Sequence, residues 1–316
     1  MGVFGILNTE MGVIGILPLI ADYYDVSVSK AGLFVSLFAL TVAISAPSMP
    51  LLFSGINRKK AMLLVLGVFV LGNIVSIFAS SFTIALIARV IPAIFHPIYC
   101  SMAFTVAANS VSSEKAPKAI SKIMLGVSAG MVLGVPITSF IANETSFEMA
   151  AEYLEIITNI SGTTISLLLV VYGGANVIGN IVAGRLLTTN AIKTVATFPF
   201  ALGAVYIALF SFGQFTVPMA IINLVWGIFA GVGGNIAQYW ITSAAPKAPD
   251  FANGLFLSSA NIGTTIGTTV SGLFISAIGT QYIVVGALLS LILCALCIFL
   301  RNNIYSPRKQ FSIEEI

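Results

Sequence analysis

The stretch AMLLVLGVFVLGNIVSIFAS, residues 61–80, contains no charged residue in 20 consecutive positions. A helix of that length rises about 30 Å, which matches the hydrocarbon thickness of a bilayer. Because backbone N–H and C=O groups cannot stay unpaired in lipid, a segment of this kind must satisfy them within its own helix. The stretch therefore predicts a membrane-spanning helix.

The same pattern recurs along the whole chain, in which 58% of the 316 residues are hydrophobic and 8% are charged. A soluble domain carries about 25% charged residues. The mean hydropathy of +1.04 is likewise too high for a water-covered surface. The composition predicts an all-α integral membrane protein with about 10 transmembrane helices. The predicted spans are 2–21, 31–53, 61–80, 82–107, 119–141, 163–187, 195–213, 215–241, 252–278 and 282–300.

The basic residues lie mainly in alternate loops. With the N-terminus placed inside, twelve of the fourteen Lys and Arg residues fall on the cytoplasmic side, whereas the outer segments are mostly acidic. Cytoplasmic loops carry an excess of Lys and Arg, so this distribution predicts that both termini are cytoplasmic. The twelve residues are Arg58, Lys59, Lys60, Lys115, Lys118, Lys122, Arg185, Lys193, Lys247, Arg301, Arg308 and Lys309.

An internal repeat relates the two halves of the chain. Ala116-Pro117-Lys118 leads into a span with a glycine ladder, and Ala248-Pro249-Asp250 leads into another, 132 residues later. Two similar halves are typical of secondary transporters. The two ladders consist of Gly126, Gly130 and Gly134, and of Gly263, Gly267 and Gly272.

The repeat does not divide the chain evenly, because the fifth predicted span matches the ninth. At 132 residues over four spans, each span uses about 33 residues, and a six-plus-six arrangement needs two more spans, about 66 residues. The irregular acidic stretch from Thr145 to Glu155 is the natural place for such a gap. The loss of an even number of spans at this place keeps every later loop on its original side of the membrane, so the distribution of basic residues is preserved.

Four segments resemble the motifs of one transporter family. Residues 8–20 (NTEMGVIGILPLI) and 28–36 (VSKAGLFVS) look like the opening of a major facilitator superfamily exporter. Residues 88–96 (ARVIPAIFH) are similar to the fourth-helix motif of that family, and residues 126–136 (GVSAGMVLGVP) to its fifth-helix antiporter motif. The chain most resembles the arabinose-efflux-permease-like and drug:proton antiporter group, without its sixth and seventh helices.

The resemblance implies the major facilitator fold, two pseudo-symmetric helix bundles around a central cavity. An N-terminal bundle (helices 1–5) is expected over residues 1–148. A C-terminal bundle of five helices, equivalent to helices 8–12, is expected over 149–301, followed by a cytoplasmic tail over 302–316. The seam would lie near Ala150–Ala151. In the basic loop between the second and third helices, Gly55 stands where the family has Asp, and the counterpart position holds Thr188, so the usual gating ion pair lacks its acidic residues.

Three residues are candidates for proton coupling. Glu10 lies in mid-span, where a charged carboxylate costs about 2.5–3.5 kcal/mol, so it should face a cavity or be protonated. Arg89 stays charged when buried, and Glu10 is its expected electrostatic partner. His96 follows Arg89 by two helical turns on the same face and could relay protons. Structural roles remain open for Glu10 and His96, as hydrogen-bonded groups between helices.

Other polar and small residues form stripes at helical spacing. Polar stripes suit a wet cavity that binds substrate, although hydrogen bonds between helices explain them nearly as well. Glycine and proline stripes predict close helix packing and bending during gating. The cavity candidates are Asn8, Tyr99, Tyr172, Asn176, Asn235, Gln238, Tyr239 and Asn261; the packing candidates are Gly126, Gly130, Gly134, Pro136, Gly263 and Gly267.

The sequence thus predicts a proton-coupled antiporter in a bacterial plasma (inner) membrane that exports a small organic solute such as a sugar or drug. The alternative is a shortened, non-transporting remnant of such a transporter. One His and a single mid-span carboxylate argue against an intramembrane enzyme. Cys294 and Cys297 lie within the last span without a second pair, so no metal or cofactor is expected. The expected partners are the substrate, protons and lipid, with no nucleic acid, and the protein is expected to be monomeric.

Overall fold

The computed structural model describes residues 2–143, 162–278 and 283–304. All regular elements in these ranges are helical. The α-helices are α1 (Gly2–Gly12), α2 (Leu17–Tyr23), α3 (Val28–Ala31), α4 (Leu33–Ser45), α5 (Met49–Leu52), α6 (Arg58–Ile77), α7 (Phe82–Asn109), α8 (Ala116–Asn143), α9 (Gly162–Phe212), α10 (Thr216–Thr242), α11 (Pro249–Ile278) and α12 (Ile283–Ile304). Short 3₁₀ turns occur at Val13–Ile16 and Ser113–Lys115.

Several helices are long and apolar enough to cross a membrane. Five meet both conditions within the described residues, and the bent pair of α1 and α2 makes a sixth. α8 and α11, with 28 and 30 residues, also have the length of a span. The protein is therefore an all-α integral membrane protein, and the total of ten spans stays a prediction. The five helices cover Arg58–Ile77, Phe82–Asn109, Val171–Phe212, Val217–Thr242 and Val284–Asn302.

α9 contains two predicted spans in one continuous element. Its apolar part, Val171–Phe212, has 42 residues, which would extend about 63 Å, twice the thickness of the hydrocarbon core. The backbone leaves helical geometry at Asn190 (φ −155°, ψ 86°). Asn190 Oδ1 accepts a hydrogen bond from the Lys193 backbone N–H at 3.0 Å, so Asn190 caps the second segment as a new helix.

The first span is broken. α1 and α2 are joined by the 3₁₀ turn Val13–Ile16 and bend by 61° relative to each other. A 3₁₀ turn replaces i→i+4 bonds by i→i+3 bonds, which disturbs the pairing of the carbonyl groups just before it. Those carbonyls need other donors, and this break lies directly after the predicted coupling residue Glu10.

Each half of the chain has its own apolar core, which is what a two-bundle fold requires. In the first half α1 packs against α8, and α6 against α7; in the second half α9 packs against α10. The halves meet along two seams, one between α8 and α9 and one between α11 and the pair α4 and α7. The first core includes Ile6, Phe38, Val42, Val65, Ile98 and Met102, and the second Ala183, Leu187, Val195, Val232 and Ile236.

The predicted bundle boundary at 148–149 and the predicted seam near Ala150–Ala151 lie outside the described residues, as does most of the tail over 302–316. Large apolar side chains elsewhere cover the outer surface of the helices; Phe78 and Phe200, for example, are 80% and 73% exposed. A lipid environment accounts for such a surface.

Candidate functional site

Glu10 and His96 form a buried ion pair within the first half. Glu10 lies on α1 near its end, and His96 lies on α7 between the two internal prolines of that helix. Glu10 Oε2 is 3.3 Å from His96 Nε2. This is ion-pair distance, although the carboxylate oxygen has no aligned hydrogen-bond donor. The structure thus brings two of the three predicted coupling residues together.

Arg89 binds backbone carbonyl groups that lie just before the break in the first span. Its guanidinium donates hydrogen bonds to the backbone oxygens of Thr9 at 3.0 Å and Glu10 at 2.6 Å. Its Nε donates to the Phe34 backbone oxygen at 2.8 Å on α4. Arg89 therefore contacts the main chain of Glu10, and the Glu10 carboxylate faces His96 instead. The contact between Arg89 and Glu10 is thus made with the Glu10 backbone oxygen. The positions of the two residues along their helices do not predict which atoms meet.

Phe38 lies between Arg89 and His96. The Arg89 guanidinium carbon lies 5.1 Å from the centre of the Phe38 ring, within the range of a cation–π contact. The same ring meets the His96 ring edge to face, with centroids 5.9 Å apart. His96 Nε2, the nitrogen that faces Glu10, also lies 3.6 Å from the Cys100 thiol, and His96 Nδ1 is buried with no hydrogen-bond partner in the described part of the chain. Apolar and weakly polar neighbours thus enclose the imidazole.

The second half has a neutral network at its core. Asn180 Nδ2 donates to Ser128 Oγ on α8 at 2.7 Å, and Ser128 Oγ donates to Asn176 Oδ1 at 2.6 Å. Asn235 Nδ2 donates to Asn180 Oδ1 at 2.6 Å. Asn176, Asn180 and Asn235 thereby join α9 to α10 and connect both to the first half through Ser128. The polar stripes predicted at 172–180 and 235–239 meet here through hydrogen bonds between helices.

The remaining cavity candidates are scattered. Asn8 is half-buried, and its Oδ1 lacks a partner among the described groups. Tyr99 is buried with its hydroxyl beside Gly2. Tyr172 packs edge to face on Trp226. The other three are Gln238, which is buried and donates to Asn253, Tyr239, which is half-buried, and Asn261, which donates to the Leu257 oxygen of its own helix.

The predicted packing glycines differ in their surroundings. A Cβ at Gly130 would lie 2.8 Å from Leu7 Cβ and 2.8 Å from the Phe4 oxygen, so α8 approaches α1 closely there. At Gly126, Gly263 and Gly267, no described atom lies within 4 Å of a Cβ position. The side-chain surroundings of Gly134 and Pro136 lie outside the described residues.

Several interacting residues were not singled out from the sequence. They are Phe38, Ser101, Thr105, Ser128 and Asn253. Thr105 and Asn253 are each a single polar residue in an apolar segment, which was the only available signal. Their pairing joins positions 148 residues apart, and sequence spacing alone does not predict such a contact.

Comparison with known families gives one clear match. The family model described as Major Facilitator Superfamily matches residues 1–157 and, in a second alignment, residues 145–315. Together the two matches cover almost the whole chain. They overlap at 145–157, the stretch that contains the predicted seam.

Curated relatives cover most of their own length and of this chain. The uncharacterized MFS-type transporter YtbD of Bacillus subtilis is 28% identical over 345 aligned positions, covering 87% of both chains. The inner membrane transport protein YdhP of Escherichia coli is 23% identical over 355 positions, covering 92% of this chain and 91% of its own.

A solved structure shares the fold. The human organic anion transporter MFSD10 (TETRAN) superposes with a TM-score of 0.68 and 13% sequence identity, covering 94% of this chain and 97% of its own. At that identity the likeness concerns the fold alone and not the substrate.

Proposed function

Since this chain belongs to the Major Facilitator Superfamily of secondary transporters, we propose that it is a proton-coupled antiporter that exports a small organic solute by alternating access. The Glu10–His96 pair carries the proposal, because it is a buried pair of titratable groups between α1 and α7. Ionisable residues inside a membrane bundle are costly and mark ion or proton pathways.

The pair gives a physical link between proton binding and movement. When Glu10 is ionised and His96 is protonated, their attraction holds α1 against α7. When Glu10 takes up a proton, that attraction is lost, while Arg89 keeps its hold on the backbone oxygens of Thr9 and Glu10. The side chain can then leave His96 without releasing the helix, so the bend of the first span becomes sensitive to protonation.

The same contacts favour a neutral or weakly cationic solute, such as a sugar or an amphipathic drug. The Arg89 guanidinium already donates hydrogen bonds to three backbone oxygens. It is therefore poorly placed to bind an anionic substrate. The second half contributes the neutral amide of Asn235, whose Oδ1 has no hydrogen-bond partner among the described groups and is able to accept a hydrogen bond from a hydroxyl group. We further propose a bacterial inner membrane location, cytoplasmic termini and a monomeric state, in line with the basic loops and the named location of YdhP.

The experiment compares Glu10→Gln with Glu114→Gln in proteoliposomes. Glu114 is exposed in the 3₁₀ turn before α8, so it is a matched acidic control. Radiolabelled methyl thiogalactoside serves as a neutral probe and ethidium as a cationic one, each with an imposed pH gradient. Glu10→Gln should lose uphill transport while downhill movement stays measurable, and Glu114→Gln should keep both. Undiminished gradient-driven transport by Glu10→Gln would contradict the coupling role.

A shortened, non-transporting remnant is the second candidate, and one observation favours it. The alignment with YtbD has 345 positions, but 87% of 316 residues is only about 275, so about 70 positions have no counterpart in this chain. Two spans with their loops need about 66 residues. The two family matches overlap at 145–157, which supports a gap in that stretch.

The intact mass of the protein from its native host separates the two candidates. A mass near 33.1 kDa would mean that the shorter chain is the natural product, and its transport would then decide between antiporter and remnant. A mass larger by about 7 kDa, two further spans with their loops, would mean that the native protein is a complete transporter.

A further inference from the structure

Hydrogen bonds cluster where the two halves meet near the basic loops. Asn253 Nδ2 on α11 donates to Thr105 Oγ1 on α7 at 3.2 Å, and Gln238 Nε2 on α10 donates to Asn253 Oδ1 at 2.8 Å. Beside them, the Ser101 hydroxyl on α7 donates to the Asp250 backbone oxygen at 2.6 Å. We call Thr105, Gln238 and Asn253 the amide latch.

The latch is buried in a close helix contact. Thr105, Gln238 and Asn253 are each at most 2% exposed. Gly254, the next residue, places its backbone against the Ala46 carbonyl oxygen after α4, so closely that a Cβ would overlap it. One turn further along α11, the Ser258 hydroxyl donates to the Ala43 backbone oxygen at 2.7 Å. The two halves are therefore in direct contact at this level.

The latch lies at the basic end of the spans. α7 ends at Asn109 and α11 begins at Pro249, and both termini adjoin the Lys-containing loops that predict the cytoplasmic side. Gly55, in the loop before α6, and Thr188, near the bend of α9, are also uncharged. Within the described ranges, no ion pair joins the first half to the second; the bonds that cross there are between neutral groups.

We propose that Asn253 is a positioning residue that holds the basic end of the transporter shut through neutral hydrogen bonds. Its amide nitrogen binds the first half through Thr105, and its amide oxygen binds Gln238 within the second half. Both functional atoms are used, so Asn253 ties α7, α10 and α11 together at one point. Since none of the three side chains carries a charge, their hydrogen bonds do not depend on salt or on protonation.

A natural reporter lies next to the latch. Cys100 is 2% exposed on α7, about one turn from Thr105. Cys294 and Cys297 are exposed on α12 and can be changed to Ala. In that variant of the full chain, only Cys100 reacts with a maleimide, and its labelling rate in nanodiscs measures how often the closed contact opens.

The test compares Asn253→Ala with Ser259→Ala, a control at an exposed position of the same helix whose hydroxyl donates to the Leu255 oxygen of its own helix. Asn253→Ala should raise the Cys100 labelling rate at least fivefold, and Ser259→Ala should leave it within a factor of two. Thr105→Val, which keeps the volume but removes the hydroxyl, should give an intermediate rise and provides a second test if Asn253→Ala folds poorly. An unchanged rate, or equal rises in all three variants, would overturn the proposal.

Salt gives an independent test of the neutral bonds. Raising NaCl from 20 mM to 1 M screens ion pairs strongly, yet the labelling rate of the unsubstituted latch should change by less than twofold. A salt-induced rise to the rate of Asn253→Ala would overturn the neutral latch. Labelling requires neither substrate nor a proton gradient, so a failed coupling role for Glu10 and a failed latch are distinguishable.

Discussion

The two halves of this chain enclose different chemistry. The first half holds a buried carboxylate and a buried imidazole, at Glu10 and His96, beside the half-buried guanidinium of Arg89. The second half buries amides, at Asn180, Asn235 and Gln238. Between 195 and 300 its spans contain no charged residue outside the loop at 247–250.

This difference separates the groups that respond to protons from those that do not. The interaction between Glu10 and His96 changes with protonation, whereas the bonds around Asn180 keep their strength across the physiological pH range. Among the residues that the structure describes, the buried carboxylate and imidazole side chains both lie in the first half. The second bundle provides neutral surfaces against which the first can move, and the following predictions test that division.

The largest effect is expected at Arg89. Arg89→Lys should reduce gradient-driven transport at least tenfold, because a compact ammonium group cannot replace a planar fork that reaches the oxygens of Thr9, Glu10 and Phe34. Initial rates in proteoliposomes, corrected for the amount of folded protein, provide the measurement. Full transport by Arg89→Lys would contradict this prediction, because it would mean that transport does not require the multidentate contact of Arg89.

The matched control lies in the second half. Arg301 donates to the Trp240 oxygen at 2.8 Å and to Ser243 Oγ at 3.1 Å, at the end of α12. Arg301→Lys removes a similar fork far from any titratable partner in mid-span and should change transport by less than threefold. Equal losses of gradient-driven transport in Arg89→Lys and Arg301→Lys would mean that the two halves do not differ in their role in coupling.

An intermediate effect is expected at Asn180. Asn180→Ala removes the donor to Ser128 Oγ and the acceptor for Asn235 Nδ2, while Ser128 keeps its bond to Asn176 and Asn235 its bond to the Gly231 oxygen. The loss of the two buried bonds should lower the free energy of unfolding by about 1–3 kcal/mol. Transport by the folded fraction should stay coupled to the proton gradient, because no titratable group is touched. Thermal unfolding in detergent and gradient-driven transport are measured on the same sample.

Ser290→Ala provides the comparison for that loss. Ser290 is exposed on α12 and donates to the Gly286 oxygen of its own helix, so its removal should cost less than about 0.5 kcal/mol. If Asn180→Ala uncoupled transport from the gradient, the second half would take part in coupling and the division would fail.

The helical content, the two-half organisation and the placement of Glu10, Arg89 and His96 within apolar helices could be predicted from hydropathy and spacing. Depth follows from counting residues along a helix, at 1.5 Å each. The rotation of one helix against another cannot be obtained by counting residues, because it depends on packing between distant spans. For this reason the sequence placed Glu10 near Arg89, whereas the direct side-chain partner is His96.

The amide latch shows the same limit more strongly. Asn253 and Thr105 come from opposite halves, and neither lies in a motif or a long polar stripe. A single Asn in an apolar span signals a buried hydrogen bond, but its partner is set by the approach of α11 to α7. The break at Asn190 could be predicted, since an apolar run far longer than the membrane thickness must turn back.

The smallest effect is expected where α8 supports the charged site. A Cβ at Gly130 would meet Leu7 Cβ and the Phe4 oxygen, both on the helix that carries Glu10. Gly130→Ala must separate α8 from α1 and should lower the free energy of unfolding by about 1–3 kcal/mol. Gly126, one turn earlier, has no described atom near its Cβ position, so Gly126→Ala should be neutral or stabilising by up to about 1 kcal/mol, since Ala favours the helix.

Thermal unfolding of the two glycine variants, side by side, measures this difference on a single helix. Gly130→Ala should also reduce gradient-driven transport a few-fold, because shifting α1 changes the 3.3 Å separation of Glu10 and His96. Equal responses at the two positions would mean that the contact of α8 with α1 does not support the pair. The charged site would then depend on α7 and α4 alone, through Arg89 and its three backbone oxygens.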